Sequence, residues 1–452
     1  MRSRVTGEDQ RLVIRGGHLL TMDPELGDIP AGDVLVDGGR IAAVGPALDA
    51  PGAAVLDARG MIVAPGLVDT HWHLWNTLLR GLSGSGPGYF RACARLGPAF
   101  GPDDLSAGTL LACAEAINSG ITTVHDWCHN VRGPSHAQAG VRALASSGLR
   151  ARFSYGYAAG HPNDQPMDLP GLAALHRDWD PHGGRLSLGM AWRGTGGSNP
   201  AMRVAPAIYR KEIEAARGLG LPVTVHASGP PSAAGQIAAL AADGLLGPDL
   251  QVVHANCATG AELAQLAGAG SPVSLSPFSE LLIGYGLPQT SALLAAGIPV
   301  GLSADTTALT GNADMFAIMK LTLGLVNAAA HEESAMTARR ALSLGTIEGA
   351  RTPGLAGVTG SLTAGKRADV IVVAADGPNL GVLTDPAQLL VTAAQPADVR
   401  HVLADGRFLK RDGAITALDL AQVTADARAA LARVTARAAA RASGAGRGPQ
   451  PG

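Results

Sequence analysis

The 452 residues are too many for one small domain and suit a large barrel of roughly 250 to 350 residues with a smaller companion. With 46% hydrophobic against 16% charged residues, the chain is excluded from the disordered class. Thirty-five basic against 37 acidic side chains leave a net charge of −2, no electrostatic footprint for nucleic acid or an anionic membrane, so a small molecule is the expected partner.

The N-terminal stretch MRSRVTGEDQ carries basic residues with no apolar core after it, and no run of about 18 apolar residues occurs anywhere. A soluble, cytoplasmic protein is expected. Between residues 11 and 60, short β-prone runs alternate with turn signals: RLVIRGG, HLLTMD, GDVLVDGGRIAAVG and AAVLDARGMIVAPG. They predict a small antiparallel sheet. Eight runs follow, spaced by helix-length stretches such as PSHAQAGVRALASSG and TGAELAQLAGAG: MIVAPGLVD, ITTVHD, ARFSYGY, LSLGMAW, LPVTVHA, LQVVHA, SPVSLSP and IPVGLSAD. Strands alternating with helices predict an α/β fold, a closed parallel (β/α)8 barrel of the TIM type.

Residues 360–377 and 398–413 return to the character of the first segment, so both chain ends are expected to share one small β-sandwich. The expected organisation is thus 1–62 for the first half of the sandwich, 63–358 for the catalytic barrel, 359–416 for the second half, and 417–452 for an exposed C-terminal helix with a flexible tail. Cys93, Cys113, Cys128 and Cys257 form no CxxC pair, and reduced thiols are expected. GLSGSGPG (81–88) lacks the strand-to-helix setting and the lysine of a phosphate loop.

Side chains two apart on a strand point to one side, and the C-terminal ends of barrel strands face the active site. His71 and His73 close the first run, His226 the fifth, His254 the sixth and Asp305 the eighth. Neutral imidazoles and one carboxylate make a shell suited to zinc or a similar divalent ion.

The segments APGLVDTHWHLWNTLLRG (64–81), SGITTVHDWCHN (119–130), VVHANCATGAEL (252–263), GLSADTTALTGNADMF (301–316) and TGSLTAGKRADVIVV (359–373) resemble the amidohydrolase superfamily, in the branch with cytosine-deaminase-like and triazine-hydrolase-like enzymes. The resemblance implies that His71, His73, His226 and Asp305 bind the metal, Zn2+ first with Fe2+ or Mn2+ as alternatives, and that His254 hydrogen-bonds substrate or the attacking water. It implies a metal-dependent hydrolase that cleaves a C–N or related bond of a small nitrogen heterocycle. Asp305 would accept the proton from a water acidified by the ion, and His254 would stabilise charge on the substrate. Homo-oligomers are frequent in the family, so a homo-oligomer is expected.

Two departures stand out. Binuclear relatives carry a carboxylated lysine at the end of the fourth strand, but LSLGMAWRG has none, so one ion is expected. Cytosine-deaminase-like members have a glutamate three residues after the fifth-strand histidine, where this chain has Gly229. Glu280 in SPFSELLIGYG is the candidate substitute proton shuttle; capping a helix or pairing with an arginine are its alternatives. His129, Trp75 and Trp127 are candidate substrate contacts, with plain packing as the alternative for each. The missing glutamate also keeps another reading open, a lyase, dehydratase or isomerase on the same metal barrel; a non-catalytic scaffold, as in relatives that have lost their ligands, is a second alternative, against which the complete ligand set argues.

Overall fold

The computed structural model describes residues 11–82, 88–196 and 203–445. The expected C-terminal tail (446–452), most of the glycine-rich stretch and residues 1–10 lie outside the described residues. The chain starts with β1 (Leu12–Leu19), β2 (Ile29–Asp37), β3 (Arg40–Gly45), β4 (Ala54–Asp57) and β5 (Met61–Pro65). RLVIRGG and the start of HLLTMD join in one strand, β1, because Gly16 at φ 75° takes up a bulge where the register with β2 slips.

The barrel follows as β6 (Leu67–Trp72), β7 (Ile121–Cys128), β8 (Arg150–Gly156), β9 (Leu186–Trp192), β10 (Val223–Ala227), β11 (Leu250–His254), β12 (Val273–Leu275) and β13 (Val300–Leu302), each parallel to the next. Helices separate the strands as the apolar spacing predicts. In one of them, Gly260–Ala269, Thr259 and Glu262 form a reciprocal capping box and Gly270 ends the helix in the left-handed region. The seam between β6 and β13 is closed by backbone bonds around the candidate ligands: Asp305 N donates to His71 O (3.0 Å) and His73 N to Asp305 O (2.7 Å). Asp69 braces the same seam, its carboxylate accepting from His71 N (3.1 Å) and Ala304 N (2.8 Å).

After the barrel, β14 (Val370–Ala374), β15 (Val399–Ala404), β16 (Arg407–Arg411) and β17 (Ala414–Ile415) rejoin the N-terminal strands in one nine-stranded mixed sheet. The join is the antiparallel pair β5–β14, with Val63 opposite Val372. A separate core, including Ile14, Val34, Val63, Leu362, Val370 and Leu403, draws on both chain ends. The first expected barrel run therefore divides: MIVAP belongs to this sheet and only the part from Leu67 enters the barrel. The division falls at Pro65, which has no N–H for a ladder, and at Gly66, where a Cβ would sit 2.1 Å from Thr122 Oγ1.

The C-terminal helix Leu420–Ala445 is not an exposed appendage. Val423, Ala427, Ala430, Val434 and Ala438 form a buried stripe, and the helix packs on the barrel helix Pro102–Asn118. Arg433 and Arg437 both pair with the buried Asp104. No helix of the described residues is long and apolar enough to cross a membrane.

Sheet and barrel are stapled at the N-terminal end of the strands. Arg150, the first residue of β8 and 2% exposed, donates from Nε to Asp369 Oδ2 (2.8 Å) and from Nη2 to Asp405 Oδ1 (2.5 Å). Removing one partner strands a buried charge, so Arg150→Met is expected to lower stability by about 3–5 kcal/mol with the active site intact. Denaturant titration checks this; a shift under about 1 kcal/mol would mean that the network is balanced by its own desolvation.

Candidate metal centre

The C-terminal ends of β6, β10, β11 and β13 converge at the barrel mouth, as the alternation of side chains along each strand requires. Ser228, His254, Ala255 and Asp305, at or just past strand ends, all hold positive φ values between 51° and 82°, a conformation that costs non-glycine residues energy and clusters at functional sites. His71, His73, His226 and Asp305 offer ligand atoms that all lie within 4.8 Å of one another. His226 Nε2 stands 3.1 Å from His71 Nε2, and Asp305 Oδ1 stands 3.3 and 3.4 Å from the Nε2 atoms of His71 and His73.

The electrostatics suit a cation. Burial holds all three histidines below their usual range, and the neighbouring imidazoles push His73 and His226 further down, so each presents a neutral ring. Burial alone would raise Asp305, but its contact with His71, and then with His73 and His254, outweighs it and holds the carboxylate's pKa below its usual range. His73 Nδ1 lies 2.9 Å from Trp127 O. A carbonyl can only accept, so the proton sits on Nδ1 and the lone pair of Nε2 is turned toward Asp305. Three imidazole nitrogens and a carboxylate gathered at one point form a donor set that a divalent ion fits.

His254 lies beside this group, its ring centroid 5.3 Å from that of His226. Its Nδ1 is 3.0 Å from Glu280 Oε1, which leaves Nε2 for the site. Burial opposes a charge on His254, yet the hydrogen bond and charge of Glu280, together with Asp305, raise its pKa. Glu280 itself is fully buried, and its Oε1 also accepts from Ser276 N at 2.8 Å. It thus caps the short helix Pro277–Leu282 and holds His254, rather than projecting freely over the mouth; no arginine pairs with it among the described residues.

His129 stands against His73, with Nδ1 atoms 3.0 Å apart, and burial pushes its pKa down to about 4. Trp127, 1% exposed, packs on the rings of His71, His73 and His226. Trp75 is fully buried behind His129, against Phe100. Two residues escaped the sequence reading. Asp69, whose burial pushes its pKa up to about 8, braces the ligand-bearing seam. Tyr285 packs at right angles on His254, ring centroids 5.1 Å apart. The positions of Asp69 two residues before the HxH and of Tyr285 beyond the seventh run were the only signals available.

The amidohydrolase family profile matches residues 62–409. The chain belongs to the amidohydrolase family. It is a hydrolase acting on carbon–nitrogen bonds other than peptide bonds. A 5′-deoxyadenosine deaminase of Methanosarcina mazei is 30% identical over 440 residues, covering 94% of this chain and 99% of the relative. An adenosine deaminase from Xanthomonas campestris with bound zinc is 25% identical, with a TM-score of 0.81 over 95% of this chain and 99% of that one. The zinc complex of an Arthrobacter aurescens atrazine chlorohydrolase shares the fold, at 22% identity, a TM-score of 0.82, and coverage of 93% of this chain and 100% of that one.

Proposed function

We propose that this enzyme is a mononuclear, zinc-type deaminase that removes the amino group of an aminated nitrogen heterocycle, with a 5′-modified adenine nucleoside as the first substrate class to test. The observation that carries the reading is the convergence of His71, His73, His226 and Asp305 beside a histidine held by a buried carboxylate. The named activity of the Methanosarcina relative supports the substrate class. A divalent ion held by these four residues would acidify water and supply positive charge to the reacting centre.

The chain's own residues manage the protons and the substrate. Asp305, ionised and facing His71 and His73, accepts a proton from the attacking water. As the water oxygen bonds to the ring carbon, His254 stabilises through Nε2 the charge that builds on the heterocycle; Asp305 then passes its proton to the amino nitrogen, the C–N bond breaks and ammonia leaves. His129 forms part of the substrate wall, while Trp75 and Trp127 act by packing the imidazoles in place. A homo-oligomeric, cytoplasmic enzyme completes the reading.

Ammonia release from 5′-deoxyadenosine, adenosine and aminated triazines, with mass spectrometry of products formed in 18O-labelled water, tests the proposal. Ammonia with one solvent oxygen in the product is the expected result. A product without solvent oxygen would point instead to a lyase or isomerase, and no turnover across the panel would overturn the deaminase reading.

Glu280→Gln should keep the metal, which Glu280 does not touch, and lower kcat roughly 100-fold by releasing His254 from its anionic partner. Elemental analysis beside steady-state kinetics reads both. Wild-type turnover would reduce Glu280 to a helix cap.

A further inference from the structure

The volume next to Gly229 is already occupied. A Cβ built on Gly229 would lie 2.7 Å from Cε2, 2.9 Å from Cδ2 and 3.4 Å from Cζ of Tyr285. Any side chain at position 229 and the Tyr285 ring therefore compete for one space, and Gly229 is what lets the ring in. The backbone is built to deliver it. Tyr285 N donates to Glu280 O (2.8 Å) as the helix Pro277–Leu282 ends, and the flanking Gly284 and Gly286, at φ 76° and 102°, turn the chain back so that the ring meets His254. The ring is half-buried, and no described residue hydrogen-bonds its hydroxyl. Burial, followed by the negative charges of Asp305 and Glu280, raises the phenol's pKa, so the hydroxyl stays neutral and able to donate.

We propose that Tyr285 is a catalytic residue of this site, its phenol standing where a side chain of residue 229 would reach and donating a hydrogen bond to the nitrogen that leaves the substrate. This rests on the deaminase reading above. The phenol keeps its proton throughout: the attacking water supplies the oxygen that bonds to carbon and the proton that departs with ammonia, so the step consumes nothing further. A donor aimed at charge that develops only as the C–N bond breaks acts on kcat more than on KM.

The test is Tyr285→Phe, which keeps the ring against Gly229 and His254 and removes only the hydroxyl. Expected are a kcat roughly 100-fold lower, a KM within a few-fold of wild type and unchanged metal content. A double-mutant cycle with Gly229→Ala and Tyr285→Ala checks the shared space. Gly229→Ala should lower kcat where Tyr285 is present, because the methyl displaces the ring, and change it less than about twofold in the Tyr285→Ala background. Wild-type turnover of the panel with an unchanged kcat in Tyr285→Phe overturns the role of Tyr285 and leaves the deaminase reading standing. Additive effects in the cycle overturn the shared-space argument. Failure of the wild-type enzyme on every substrate overturns the deaminase reading and, with it, this assignment.

Discussion

Asp305→Asn is expected to emerge from purification with little bound metal and with turnover lowered at least roughly 1000-fold, several kcal/mol of transition-state stabilisation. The carboxylate is the only anion in the donor group, 3.3 and 3.4 Å from two imidazole nitrogens. An amide has the same shape but no charge, and its NH2 end would aim hydrogens at the same lone pairs that hold the cation. The backbone at 305 also carries strain, with φ at 56°, which asparagine tolerates as well as aspartate does, so the fold should be spared. Elemental analysis and a melting curve separate the causes. Full metal content with activity lost would make Asp305 a proton acceptor only; full metal and full activity would remove it from the site altogether.

Deleting residues 1–60 is expected to leave mostly insoluble protein, with any soluble fraction melting at least about 10 °C lower. The deletion removes β1 to β4, and with them Ile14, Leu19, Val34, Val36 and Ile41 from the sheet's core. What remains, Val63, Val370, Val372 and Leu403, would face water along unpaired strand edges, the circumstance in which sheets aggregate. The barrel would also lose the covering over the sheet that its Arg150 staple grips. A truncated chain that stays soluble with an unchanged melting temperature would show that the two chain ends do not depend on one another.

The ligand positions could be read from sequence because a barrel turns linear order into a ring. PVTVHA, QVVHA and VGLSAD each finish an apolar run with a polar residue, and strand after strand that residue reaches the same rim. Contacts between residues far apart had no such guide. Nothing in the spacing pairs Glu280 with His254, since a short helix must first fold the carboxylate back under the rim. Tyr285 carries no periodic signal because its place is set by two flanking glycines and by an empty Cα opposite. MIVAPGLVD is apolar throughout, so hydrophobicity could not reveal that its halves serve different sheets. The C-terminal helix misled for a related reason: its buried stripe is mostly alanine, too weakly apolar to stand out, and its arginines find their partner, Asp104, more than 300 residues upstream.

Arg150 and the reacting centre sit at opposite ends of the same strands, a strand of seven residues or roughly 20 Å apart. The division has an evolutionary consequence. Residues at the rim can change without loosening the joint that keeps barrel and sheet together, and the joint can harden without dulling the chemistry. A lineage built this way can try a new heterocycle by changing a few rim residues, with the rest of the molecule acting as an inherited chassis.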